Sequence, residues 1–114
     1  MPKKQNPLNL NPLQLKTLTL LQELARHPGH GSPGSEPGEV IVSNLPHPHG
    51  NHMHVGPYLV HAQDASGLAN ESAWKALERK GLAKAMYPFA ILLTEAGLSY
   101  ETGLREAILH GSDH

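Results

Sequence analysis

Four histidines crowd into eight positions, His47, His49, His52 and His54, with His61 a short way beyond. Residues two apart on a strand share a face, so His52 and His54 could meet one ion, and His47 with His49 could complete the set across a hairpin. All-nitrogen ligation would suit zinc, nickel or copper, whereas calcium and magnesium want oxygens. The competing reading is a surface passage kept extended by Pro46 and Pro48, in which the imidazoles bind nothing. The chain holds nine histidines in all, which makes it more cationic in mild acid under either reading.

Other chemistry is scarce. The absence of cysteine removes disulfides, thiolate nucleophiles and sulfur-based zinc fingers. No nucleophile stands beside a base, no carboxylate pair has a useful spacing, and no glycine loop could cradle a phosphate, so the expectation is a protein without enzymatic activity. Nine Lys and Arg against ten Asp and Glu leave a formal charge of −1, so any pull on nucleic acid must be local. No apolar run approaches the ~18 residues of a membrane helix, and the opening residues lack a signal-peptide core, so the expected location is cytoplasmic, away from membranes.

At 114 residues the chain suits one domain, and 4% aromatic content means a core of Leu, Ala, Val and Ile. Residues 1–10 read as a flexible tail and 11–110 as the domain. Asn11 as cap, Pro12 at the first position and Gln14 three residues after the cap mark a helix over 12–26. Its leucines, Leu15 excepted, form one arc, with Lys16, Thr19, Gln22, Glu23 and Arg26 opposite. Residues 27–38, four Gly and three Pro in twelve, read as a flexible loop. Residues 39–43 read as a strand, and Gly50-Asn51 could tip a hairpin returning through 52–55. Residues 56–65 fit a strand or a short helix equally. Asn70 caps a helix to about Lys80, with Ala73, Trp74, Ala76 and Leu77 inward. Residues 82–86 and 89–93 read as strands joined at Tyr87-Pro88, followed by a helix over 98–109. The composite expectation is α+β, with about three helices, a small antiparallel sheet and a Gly/Pro/His-rich insertion.

Two phrases carry a resemblance. Leu77-Glu78-Arg79-Lys80-Gly81-Leu82 ends a helix and Leu93-Thr94-Glu95-Ala96-Gly97 ends a strand. In that order they resemble the recognition-helix and wing region of winged helix-turn-helix regulators of the multiple-antibiotic-resistance and arsenic-sensor types. The helix at 12–26 would match the first helix of that superfamily, while the 27–54 insertion departs from its pattern. The resemblance implies a winged-helix transcriptional regulator that binds double-stranded DNA. The 70–80 helix would then enter the major groove with Ser72, Lys75 and Arg79, and Lys80 and Lys84 would sit near the backbone. The same letters also describe a solvated helix face, with Glu71 four residues before Lys75. The resemblance further implies a homodimer through the 98–109 helix, whose Leu104 and Ile108 could instead close the monomer core. Without DNA binding, the same fold would serve as a protein-interaction module.

Overall fold

The Asn11 side chain accepts the Gln14 amide at 2.8 Å, and Gln14 Oε1 accepts the Asn11 amide at 3.0 Å. This reciprocal cap starts α1 (Pro12–Leu24), as the sequence pattern requires. In the computed structural model, which describes residues 6–111, α1 is the centre of the protein. Leu18, Leu20, Leu21 and Leu24 are fully buried, and the helix packs against a 3₁₀ segment (Ala62–Ala69), α2 (Glu71–Arg79), α3 (Glu95–Ser99) and strand β3 (His52–Val55).

The remaining elements are short. Strands β1 (Gly31–Pro33), β2 (Val40–Ser43), β5 (Ala83–Met86) and β6 (Ala90–Leu93) form an antiparallel sheet in the order β1-β2-β6-β5. A second antiparallel sheet has the order β3-β4-β7, with β4 at Tyr58–His61 and β7 at His110–Gly111. Helix α4 (Arg105–Ile108) precedes β7. The fold class is α+β, and among the described residues no helix is long and apolar enough to cross a membrane.

Several sequence expectations need correction. The side of α1 expected to face solvent is covered over its middle: Thr19, Gln22 and Glu23 are all buried, while Lys16 is half-buried and Arg26 is exposed. Residues 6–10 are not a tail, because Leu10 is buried and Asn6 bonds both the amide and the carbonyl of Leu10; residues 1–5 lie outside the described residues. The 27–38 passage is not wholly loop, since β1 pairs there with β2, Gly31 opposite Val42 and Pro33 opposite Val40. Its proline is tolerated because β1 is an edge strand. Residues 56–65 satisfy both alternatives in turn, as strand β4 and then the start of the 3₁₀ segment.

The expected helix over 98–109 is broken. Tyr100 is extended and Gly103 adopts φ +75, so α3 ends at Ser99 and α4 begins at Arg105. The break brings polar groups to the covered side of α1. The Thr19 hydroxyl donates to the Leu15 carbonyl and meets the Thr102 hydroxyl at 2.6 Å. Gln22 Nε2 donates to the carbonyls of Gly97 and Tyr100, each at 2.8 Å. Glu23, its side chain only 5% exposed, lies 2.7 Å from Arg105 Nη1, and its other oxygen lies 2.8 Å from His27 Nε2. The expected dimer helix is therefore absent as one element, and Ile108 is buried within the monomer.

Burial alone would raise the pKa of Glu23. Hydrogen bonds from His27 and Arg105, with the charges of Arg105 and Arg26, outweigh it and hold the carboxylate below its ordinary 4.5. A group depressed in the folded state contributes stability that is complete above its unfolded-state value and is lost as pH falls toward the folded value. Urea unfolding between neutrality and about pH 3 should therefore show an acid-sensitive limb that Glu23→Gln flattens. The same substitution should cost about 1 to 2 kcal/mol at neutral pH, because Glu23 is buried while Arg105, its side chain 38% exposed, keeps its access to water.

Candidate nucleic-acid interface

The Asn70 side chain accepts the Ala73 amide at 3.1 Å and begins α2. Ala73, Trp74, Ala76 and Leu77 are buried, while Glu71, Ser72, Lys75, Glu78 and Arg79 are exposed, the division expected from 3.6-residue spacing. Trp74 fixes the helix in place. It is fully buried, its Nε1 donates to the Gly67 carbonyl at 3.1 Å, and the Tyr87 ring meets it edge-on at 4.8 Å between centroids.

A tight corner carries α2 into the β5–β6 hairpin. Gly81 adopts φ +80, a left-handed conformation that costs glycine little and lets the Leu82 amide reach back to the Leu77 carbonyl at 3.0 Å. The Thr94 hydroxyl donates to the Gly81 carbonyl at 2.8 Å, and the Thr94 amide donates to the Leu82 carbonyl at 3.1 Å. Leu77, Gly81, Leu82 and Thr94 of the two sequence phrases thus meet at one corner.

Of the five residues singled out for DNA contact, Ser72, Lys75 and Arg79 share one exposed face of α2 and, with Glu71, line a shallow groove. Among the described residues neither Lys75 nor Arg79 enters an ion pair, so the expected Glu71–Lys75 surface pair does not form. Lys80 is exposed, but its ammonium donates to the Leu8 carbonyl at 2.7 Å and so is drawn toward the N-terminal segment. Lys84 is exposed on β5, in register with Leu92 of β6. Glu78 turns aside: its Oε1 accepts the Ala85 amide at 3.1 Å. That contact satisfies an edge-strand donor and joins helix to hairpin.

The hairpin tip differs from the reading of the sequence. Met86 and Phe89 are 45% and 79% exposed, on either side of a cis Tyr87–Pro88 bond. The strand expected from Phe89 begins instead at Ala90. The available signal was its position directly after a proline at the joint of two strands, where ladder pairing is least able to hold it.

The histidine run does not assemble as expected. Strand β3 pairs with β4 across Gly56-Pro57, with His52 opposite His61 and His54 opposite Leu59, so His47 and His49 do not lie across from it in a ladder. His49 makes only an isolated bridge to His52, and the rings of His49, His52 and His54 lie 5.2–6.3 Å apart between centroids. His47 faces elsewhere, lining a cleft beside Pro48 and Ala65. On the same face of the sheet as His52, His61 meets His110 at 5.0 Å. Among the described residues no group of three or more metal-ligating side chains is placed to hold an ion, so the zinc or nickel set of His47, His49, His52 and His54 is not formed. The error lay in the hairpin register, which is set by the Gly-Pro turn that follows β3.

Comparison with known proteins leaves the chain alone: no family model matches it, nor does any curated protein or solved structure.

The Glu78 contact can be checked directly. Glu78→Ala should lower stability by about 1 kcal/mol and quicken hydrogen exchange at the Ala85 amide, leaving exchange in α1 changed only by the global loss.

Proposed function

We propose that the protein is a small winged-helix, DNA-associated regulator in which α2 enters the major groove and the β5–β6 hairpin lies beside it. The observation that carries this reading is the free face of α2, where Ser72, Lys75 and Arg79 project together next to the hairpin. The chain order supports it as well: α1, a short strand β2 that pairs with β6, a short helical segment, the exposed helix, then a hairpin. The 3₁₀ segment stands where the resemblance calls for a second helix, and the β3–β4 hairpin is an insertion ahead of it.

The electrostatics are local. Lys75, Arg79 and Lys84 supply cationic groups for phosphates, and Ser72 supplies a short donor and acceptor near the start of the helix. Glu71 is the acid that opposes them, since Glu78 is occupied by the Ala85 amide. A weak, strongly salt-dependent affinity follows from so few charges.

A second reading rests on one observation, the exposure of Phe89 and Met86 at the hairpin tip. Large apolar side chains projecting together are a feature of protein interfaces, so the domain could act as a protein-interaction module instead.

The two separate cleanly. Under the DNA reading, duplex binding at low salt should weaken at least tenfold in the Lys75→Ala/Arg79→Ala double variant, with the dependence of affinity on salt shallower by about two phosphate contacts. Thermal stability should stay within about 0.5 kcal/mol of the parent, because both side chains are exposed. Fluorescence anisotropy with a mixed-sequence duplex measures the first, and thermal unfolding the second. Equal binding by parent and double variant, or none by either at low salt, refutes the DNA reading.

A further inference from the structure

The inserted 44–57 passage does more than decorate the domain. Where it crosses the 3₁₀ segment and the tip of the β5–β6 hairpin it leaves a cleft of about 220 Å³. Met53, Ala65 and Leu68, all buried, line its inner part, and Pro46, Pro48 and Pro88 line its walls.

The walls are restrained in part before anything binds. Each proline has its φ fixed by its ring. Tyr87, which also lines the cleft, is held twice, by its edge-on contact with Trp74 at 4.8 Å and by its hydroxyl donating to the Ala69 carbonyl at 2.9 Å. A site already in its binding shape spends little on ordering, which favours small ligands that have few contacts to offer.

Volume and charge then narrow the occupant. Drug-sized ligands need roughly 300–1,000 Å³, whereas a cavity of about 150 Å³ accepts benzene, so this cleft suits a single ring with small substituents. No Lys, Arg, Asp or Glu lines it; beside Tyr87, whose hydroxyl donates to the Ala69 carbonyl, its polar side chains are the exposed His47 and Ser66. A ligand carrying a full charge would be desolvated there with no permanent counter-charge. We propose that this cleft is a binding site for an uncharged single-ring aromatic molecule bearing one hydrogen-bonding group, the ring against Met53 and Pro88 and the polar group toward His47 and Ser66. The proposal does not depend on whether α2 meets DNA.

The test uses the whole chain with p-cresol as probe and benzoate as its charged counterpart of similar size. Binding is followed by backbone amide shifts and by the fluorescence of Trp74, the one tryptophan, which Tyr87 couples to the cleft. p-Cresol should give saturable shifts at Ser66, Ala69 and Tyr87 with Kd near 1 mM or tighter, and benzoate should bind at least tenfold more weakly. Ala69→Leu and, separately, Ala62→Leu place extra carbons in the cleft from its rim; each should weaken p-cresol at least tenfold without lowering the melting temperature. No saturable shifts, equal affinity for benzoate, or unaltered binding by both filled variants would overturn the proposal. So would a concentration-dependent dimer that dissociates on Phe89→Ser while the same amides shift, since the cleft would then belong to the hairpin tip of a second copy.

Discussion

The constraint on which the rest of the structure depends is that the second half of its central helix, Thr17–Leu24, has no solvent side. Helix α1 carries leucines along one arc and Thr19, Gln22 and Glu23 along the other, and both arcs are covered. Buried polar groups without partners are costly, so whatever covers the second arc must bring hydrogen bonds and a cation with it. The segment after β6 does so by abandoning helical continuity. Its turn at Thr102 and Gly103 sets a hydroxyl against Thr19, the carbonyls of Gly97 and Tyr100 against Gln22, and Arg105 against Glu23. Glu23 in turn holds the guanidinium of Arg105 in its charged form through their close contact at 2.7 Å. A continuous 98–109 helix would have directed its backbone carbonyls along its own axis and left α1 unsatisfied.

That arrangement separates the protein into a side that is committed and a side that is free. On the committed side, Thr19 and Gln22 of α1 bond to the C-terminal segment and Glu23 pairs in charge with Arg105. On the other, α2 is anchored by Trp74 beneath it and by the Gly81 corner at its end, so its outer face is held rigidly but bonded to little. Of the two acids exposed on α2, one, Glu78, is turned into the hairpin backbone. The exposed cations Lys75 and Arg79 therefore stand on a scaffold whose own stability does not use them, which is the physical condition for a surface available to a partner.

How far the sequence could be read follows the same division. Helix α2 was legible to within a residue, because its inward positions are apolar and its cap and stop are local, and the Gly81 corner was legible because only a left-handed glycine closes it. The start of α1 was legible for the same reason. Its polar arc was not, since a threonine, a glutamine and a glutamate at helical spacing look alike whether they face water or a partner 75–83 residues away in the chain. The histidine pattern failed for a related reason: which strands pair is decided by the turn between them, and the passage offered two turns, Gly50-Asn51 and Gly56-Pro57, of which the second closed the ladder. Periodicity reports a residue's face within its own element and is silent on what covers that face.

The insertion shows how such non-local choices create features that no motif announces. Because β3 pairs forward with β4, residues 45–48 have no ladder of their own and cross the surface as an extended, proline-stiffened strap. A strap without a regular partner cannot fill the space beneath it as an interdigitating helix or strand would, and the small side chains of the 3₁₀ segment below, Ala62, Ala65, Ser66 and Ala69, do not reach up to it. On the third side the hairpin tip contributes Tyr87 and Pro88 while its Phe89, the one large ring that could have plugged the gap, stays in solvent. The void between strap, 3₁₀ segment and hairpin tip therefore follows from pairing register and side-chain size together. Its boundaries include both the strap and the hairpin adjoining α2, so an occupant would bridge the two.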